Sequence, residues 1–120
     1  MAEDRRNKKY DLEDRTEQFA RRVRDLIKKI PKTISNIEDG KQVIRSSGSV
    51  GANYIEANEA LSKKDFKMRI KICRKEAKES GYWLRLISTC NDSHNDKECK
   101  SLAQEAAELM KIFAAILTKS

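Results

Sequence analysis

Apolar residues recur along the chain in four separate stretches, with steps that alternate between three and four. Such steps return to one face of an α-helix on every turn, so each stretch predicts one amphipathic helix. The four stripes are Leu12, Thr16, Phe19, Val23, Leu26 and Ile30; Val43, Ser47, Val50, Tyr54, Ala57 and Leu61; Phe66, Ile70, Cys73, Ala77, Ser80, Leu84 and Ile87; and Cys99, Leu102, Ala106, Leu109, Phe113 and Ile116. We expect these stripes to form the core of an all-α protein.

Proline, polar runs and capping residues predict where the helices end. Pro31 ends or kinks the first helix, the polar run 32–36 links the first stripe to the second, and the polar run 91–96 separates the third from the fourth. A short polar side chain followed three residues later by an acid is typical of a helix start. The predicted capping pairs are Asn36 with Asp39, Ser62 with Asp65, and Asn95 with Glu98.

Four helices of about 20 residues joined by short links favour antiparallel neighbours, because a short link only allows the chain to reverse. The alternating steps of three and four suit near-parallel packing of each seam into a neighbour's grooves. The sequence therefore predicts an antiparallel up-down-up-down four-helix bundle over residues 11–118. Residues 1–10 are polar and aperiodic, which predicts a flexible N-terminal arm.

Composition narrows the class of protein. The 120 residues include one Pro and four Gly, which is little turn material for a sheet. No apolar run approaches the roughly 20 residues that cross a bilayer, and no signal segment opens the chain. Three cysteines without paired spacing indicate reduced thiols. These features favour a soluble, cytoplasmic protein.

Residues able to carry catalytic or metal chemistry are few. His94 is the single histidine, which excludes the repeated Glu-x-x-His pairs of di-iron bundles. Cys90, His94 and Cys99 bracket one loop, but their spacing is not that of a zinc finger and no fourth ligand is evident. No serine or cysteine stands with a base in a recognisable site. We therefore predict no enzyme activity, no metal and no cofactor.

Positive charge is concentrated in one part of the chain. The formal net charge is +7, and residues 61–85 carry nine Lys or Arg against three acids. Six of these cations repeat at helical steps one position after the third stripe, and we call them the basic ridge. The ridge consists of Lys64, Lys67, Lys71, Arg74, Lys78 and Arg85, and the first helix adds Arg21, Arg24 and Lys28 at similar spacing.

A line of cations along a helix neutralises phosphates and releases their counterions, which predicts nucleic-acid binding. The alternative is a solvated helix face that keeps the protein soluble. Tyr82 and Trp83 lie near the ridge and offer rings that stack on unpaired bases. Alternatively, Trp83 covers the edge of the core or of a subunit interface.

Two features predict self-association. The end of the fourth helix, LMKIFAAILT, is apolar nearly all round, which is typical of a helix covered on every side. Small residues in the second helix indicate close approach of two backbones, because each Gly costs up to about 1 kcal/mol of helix propensity and close packing could recover that loss. A local kink or a frayed start to the second helix is the alternative. The predicted interface residues are Ser47, Gly48, Gly51, Asn53, Trp83, Met110 and Leu117. Nearby Arg45, Asn53 and Glu56 predict a ligand pocket, a hydrogen-bonded junction between subunits, or a satisfied structural network.

Two segments carry a resemblance to a known family. The first, with the pattern RS-small-S-hydrophobic-x-A-N-x-x-E-A, consists of Arg45, Ser46, Ser49, Val50, Ala52, Asn53, Glu56 and Ala57. The second consists of Asp65, Phe66, Lys75, Glu76, Ala77, Glu79, Ser80, Tyr82, Trp83 and Leu84. Through these motifs, residues 11–118 resemble the four helix bundle protein family, also called 23S ribosomal RNA intervening-sequence proteins.

The resemblance implies an antiparallel four-helix bundle whose relatives assemble into a ring-like homopentamer. A distant relative is the accessory protein of diversity-generating retroelements, which is thought to work beside a reverse transcriptase and its RNA. No catalytic activity attaches to the family. The implied partners are therefore further copies of the chain, RNA or DNA, and a reverse transcriptase or other nucleoprotein.

These observations predict a non-enzymatic, oligomeric helical-bundle protein that binds RNA, other nucleic acid or a nucleoprotein partner through a basic helix face. The alternative is a protein-protein interaction or scaffold module without nucleic-acid binding. The salt dependence of binding separates the two, because only phosphate neutralisation makes affinity fall steeply with salt.

Overall fold

The computed structural model describes residues 2–120, with side chains from residue 11 onward. Its helices are α1 (Ala2–Lys29), α2 (Ile34–Asn58), α3 (Lys63–Leu86) and α4 (Ser93–Lys119). They form an up-down four-helix bundle, which confirms the predicted fold class. The predicted flexible arm, residues 1–10, lies outside the residues whose side chains are described, and its flexibility stays a prediction.

Each helix packs against two others. α1 and α3 both pack beside α2 and α4, whereas in the described part of the chain no Cα atom of α1 lies within 8 Å of one in α3, and none of α2 lies within 8 Å of one in α4. α1 and α3, and likewise α2 and α4, are therefore diagonally opposite in the bundle. As a result, the outer faces of α1 and α3 point to opposite sides of the molecule.

The predicted stripes form the core with few exceptions. Every residue of the first stripe is buried, including the polar Thr16 at 1% exposure. Phe66 and Ile116, at the ends of the third and fourth stripes, are half-buried. The prediction was wrong for Leu61, which is fully exposed because α2 already ends at Asn58 and leaves Leu61 in the following turn.

The helix starts differ from the prediction at two of three places. Ser62 does cap α3, since its side chain accepts a hydrogen bond from the Asp65 N–H at 3.0 Å. For α2 the cap is Thr33 rather than Asn36, and for α4 it is Asp92 rather than Asn95. In both cases the true cap lies three residues earlier and accepts from the backbone N–H of the asparagine.

The two asparagines connect separate chain segments instead. Asn36 is buried, and its Nδ2 donates to the Ser88 carbonyl at 2.7 Å while its Oδ1 accepts from the Ser88 N–H at 3.0 Å. Asn95 is also buried, and its Nδ2 donates to the carbonyl of Lys29 at 3.4 Å. These bonds fasten the links at one end of the bundle, which a purely local capping argument does not anticipate.

The small residues of α2 allow close packing, but the neighbour is α1 of the same chain. A Cβ added at Gly51 would lie 2.9 Å from Thr16 Oγ1, and one at Gly48 would lie 3.3 Å from the Arg24 guanidinium. Close approach was therefore the right interpretation, and within the chain the neighbour is α1. The contact of these residues with a second subunit stays a prediction. α2 is continuous from Ile34 to Asn58, so the alternative of a helix start frayed at these glycines is wrong.

The apolar end of α4 is covered by its own bundle to different degrees. Phe113 is fully buried and its ring lies 5.9 Å from that of Tyr54. Ile112, Ile116 and Leu117 are only partly buried against the core. The single chain therefore leaves part of the α4 surface open.

Candidate nucleic-acid interface

The basic ridge forms one surface line on α3. At 100° of rotation per residue, its six cations fall within an arc of about 80° of the helix surface and extend over about 32 Å. Five of the six side chains are exposed and Lys67 is half-buried. The predicted alignment of these cations is confirmed, since α3 is continuous from Lys63 to Leu86.

The ridge has no internal charge partner among the described side chains. In residues 11–120, none of its six cations lies within salt-bridge distance of a carboxylate. By contrast, Arg15 and Arg22 of α1 pair with Glu105 and Glu98 of α4, at 2.7 and 2.9 Å. The ridge therefore keeps its positive charge at the surface, where a polyanion meets it without displacing a protein carboxylate.

The structure does not bring the predicted cations of α1 to this ridge. Arg21 pairs with Glu17 on its own helix at 3.0 Å, and Arg24 donates to the Ala20 carbonyl at 3.1 Å beside Gly48. Lys28 is exposed on the same helix. Since α1 lies diagonally across the bundle from α3, these three cations belong to a different face.

Polar residues of the two resemblance motifs meet at the seam between α2 and α3. Arg45 Nη1 donates to Glu76 at 3.2 Å, and Asn53 accepts from Arg69 at 3.0 Å. Ser46 and Ser80 share a hydrogen bond of 2.8 Å in the core. The predicted satisfied network is thus confirmed for Arg45 and Asn53.

Glu76 is the charged residue most deeply placed in this network. Its side chain is 5% exposed. Burial raises the pKa of Glu76, while the charge of Arg45 lowers it in part. Arg45 also pairs with Glu79 at 3.5 Å, so one guanidinium holds two carboxylates at the α2–α3 seam.

A surface groove of about 670 Å³ lies beside this seam, near the C-terminal end of α3. Its aromatic residues are Tyr82, which is 50% exposed, and Trp83, which is half-buried against the core. The two rings meet edge to face, with centroids 5.0 Å apart and planes at 69°. The charged and polar residues of the groove are Gln42, Arg45, Lys75, Lys78, Glu79 and Arg85.

The predicted oligomer interface is dispersed by the fold. Ser47 is completely buried inside the single chain, so it is a core residue and not a surface contact. Gly51 faces Thr16, and Asn53 bonds Arg69, within the same subunit. The remaining predicted interface residues, Gly48, Trp83, Met110 and Leu117, are half-buried.

Exposed isoleucines of α2 were missed by the sequence analysis. Ile34, Ile37 and Ile55 are 86%, 44% and 50% exposed. Ile37, Ile44 and Ile55 are separated by 7 and 11 residues, which correspond to about two and three helical turns and so place them on one face. Their spacing was the available signal, although this pattern is less regular than the third and fourth stripes.

The thiols are turned inward except for one. The Cys99 thiol donates to the Leu84 carbonyl and that of Cys73 to the Val50 carbonyl. Burial raises the pKa of Cys73 to about 12 and also raises that of Cys99, so both remain thiols at neutral pH. Cys90 is exposed. In residues 11–120, no three His, Cys, Asp or Glu side chains cluster as metal ligands would.

The geometry defines an antiparallel four-helix bundle with a basic outer helix. The chain belongs to the 23S rRNA-intervening sequence protein family, whose sequence profile matches residues 8–115. It is also similar to a crystal structure from Bacteroides thetaiotaomicron VPI-5482, described as a protein with unknown function from the S23 ribosomal protein family. That similarity has a TM-score of 0.73 and 30% identity, over 88% of this chain and 96% of the other. No curated protein matches the chain.

None of the described helices has the length and apolar character that a membrane crossing requires.

Proposed function

We propose that the protein is a non-enzymatic nucleic-acid-binding module that holds RNA, or a nucleoprotein containing it, against the basic ridge of α3. The observation that carries the proposal is the six-cation line, which has no carboxylate partner in residues 11–120. Lys64, Lys67, Lys71, Arg74, Lys78 and Arg85 supply the charge.

Counterion release provides the binding free energy. A polyanion that lies along the ridge exchanges its condensed cations for fixed lysine and arginine charges, and the released ions gain entropy. A cation that is already paired with a carboxylate contributes less to the binding free energy, because that pair must first be broken or shared. The family description names 23S rRNA, which favours RNA as the polyanion.

Self-association belongs to the same proposal. A closed homo-oligomer, such as a pentamer, repeats the ridge around a symmetry axis and lets one nucleic acid contact several ridges. A reverse transcriptase or another nucleoprotein then binds through the RNA held on this surface. The partly open surface of α4 and the exposed isoleucines of α2 supply apolar area for such an assembly.

The test compares two variants matched in charge change. One replaces Lys67, Lys71 and Arg74 of the ridge by Glu, and the other replaces Arg21, Arg24 and Lys28 of α1 by Glu. Affinity for RNA and duplex DNA is measured at several salt concentrations. We expect the ridge variant to lose about 100-fold in affinity at low salt and the α1 variant less than about fivefold.

Two outcomes contradict the proposal that the basic ridge binds the nucleic acid. Equal losses in both variants mean that net charge alone attracts the nucleic acid, and no loss in the ridge variant means that binding occurs elsewhere. Circular dichroism on both variants confirms that the helices remain folded.

A second candidate function is a protein-interaction scaffold without nucleic-acid binding. The exposed side chains of Ile34, Ile37 and Ile55 favour it, since large apolar groups at a surface indicate a covered face. Light scattering tests the self-association in both candidates. We expect a mass several times the 13.8 kDa of one chain, reduced towards the monomer by Ile37→Asp with Ile55→Asp. A wild-type monomer contradicts the assembly.

A further inference from the structure

Tyr82 occupies a position that continues the basic ridge. It lies four residues after Lys78 and three before Arg85, so it falls on the same side of α3 as the cations. It is 50% exposed, unlike a tyrosine that serves the core. The ridge therefore contains one aromatic ring between two of its cations.

Trp83 supports this ring in a defined orientation. Trp83 packs against the core, and its ring meets that of Tyr82 edge to face at 5.0 Å. In an edge-to-face pair, the partner ring leaves at least one face of each ring uncovered. Tyr82 is therefore a supported ring whose exposed half borders the groove of about 670 Å³.

The groove around this ring combines several cations with a single carboxylate among its described lining residues. Lys75, Lys78 and Arg85 line it from α3, and Arg45 lines it from α2. The carboxylate, Glu79, lies 3.5 Å from Arg45. A flat hydrophobic ring within reach of several cations suits a nucleobase with its attached phosphates.

We propose that the groove at Tyr82 binds an unpaired nucleobase of a single strand, with the flanking phosphates on Lys78 and Arg85. This inference rests on the proposed nucleic-acid function and adds a preference for unpaired bases. A duplex satisfies the ridge cations through its phosphates, but its bases are stacked on each other and cannot cover Tyr82. Tyr82 is then a binding residue and Trp83 a positioning residue.

The experiment uses the full chain with a labelled 12-nucleotide single-stranded RNA and the matching 12-base-pair duplex at one salt concentration. Tyr82→Ala is compared with Tyr82→Phe, which keeps the ring, and with the ridge variant in which Lys67, Lys71 and Arg74 become Glu. We expect Tyr82→Ala to weaken single-strand binding about tenfold, and Tyr82→Phe to stay within about twofold of wild type. Duplex affinity should change less than twofold in both Tyr82 variants.

Intrinsic fluorescence gives a second readout, since Trp83 is the single tryptophan of the chain. Single-stranded RNA should change its emission more than the duplex does at equal saturation. Equal losses for strand and duplex in Tyr82→Ala, or no loss in either, overturn the Tyr82 site. In those cases a ridge variant that still loses affinity leaves the proposed function standing. If wild type binds neither RNA at low salt, both the function and the site are wrong.

Discussion

Two arginines of α1 stand in different surroundings from the six ridge cations of α3. Arg15 of α1 donates two hydrogen bonds to Glu105, at 2.7 and 2.8 Å, and Arg22 binds Glu98 at 3.0 Å. Among residues 11–120, none of the six ridge cations pairs with a carboxylate in this way. Arg15 and Arg22 are therefore part of the packing of α1 against α4, whereas the ridge cations remain available to bind a partner outside the chain.

The difference originates in the neighbouring helix faces. α4 presents Glu98, Glu105 and Glu108 to α1, so the arginines there have carboxylates within reach. At the α2–α3 seam, α3 supplies the carboxylate instead of the cation, because Glu76 of α3 pairs with Arg45 of α2. Charge in the seams is thus mostly neutralised locally, and net positive charge accumulates on the outer side of α3.

The largest effect on stability is expected at the seam cation Arg45. Arg45→Ala leaves the buried Glu76 without its opposite charge, and we expect a loss of about 2 kcal/mol in unfolding free energy near neutral pH. Urea unfolding at several pH values measures it. Lys71→Ala, which removes an exposed ridge cation, is the control and should change stability by less than about 0.5 kcal/mol.

The loss in Arg45→Ala should shrink as the pH falls. Burial raises the pKa of Glu76 in the folded protein, so its charged form costs stability above that pKa, and the cost disappears on protonation. Arg45 opposes this cost while Glu76 is ionised, and its removal matters most then. A loss that is the same at neutral and acidic pH would mean that Arg45 acts through packing alone.

A smaller effect is expected at the α1–α4 seam. Arg15 pairs with Glu105, and the side chains are 38% and 17% exposed, so solvent screens the interaction in part. The hydrogen bonds that Arg15 donates to the Glu105 carboxylate raise the pKa of Arg15, which reflects the same attraction. A double-mutant cycle with Arg15→Ala and Glu105→Ala should give a coupling of about 1 kcal/mol that falls with salt. A coupling near zero would remove the distinction between seam and ridge cations.

The smallest effect is expected for one ridge cation in nucleic-acid binding. Lys71→Gln should lower affinity for RNA about threefold and reduce the slope of log affinity against log salt by about one, while stability is unchanged. Lys28→Gln on α1 is the matched control and should leave the slope as it is. The comparison fails if both substitutions change the slope equally.

The core was predictable almost residue by residue, whereas two of the three predicted helix starts were wrong. Phe19, Val23 and Leu26 could be assigned because an apolar residue at every helical turn has one economical place, away from water. The cap positions failed because Asn36 and Asn95 suit a cap as well as Thr33 and Asp92 do. Their long-range bonds to Ser88 and Lys29 exist only after the helices have assembled.

One part of the candidate site could likewise be predicted from the sequence, and another part could not. The ridge is a property of one helix, so its alignment followed from the spacing of Lys67, Lys71 and Arg74 alone. A small residue such as Gly51 indicates a close neighbour without identifying it, and the structure shows that its neighbour within the chain is Thr16. The groove at Tyr82 needed the structure, because it joins Arg45 of α2 to α3.

The sequence by itself determined four amphipathic helices, their order, and a line of cations along the third. These are local properties, because the side chains that define them lie within one or two turns of each other. Tertiary structure alone decided which cations meet a carboxylate, which glycine faces which helix, and that α1 and α3 lie on opposite sides. Such facts depend on contacts between residues far apart in the chain, and helical periodicity carries no information about them.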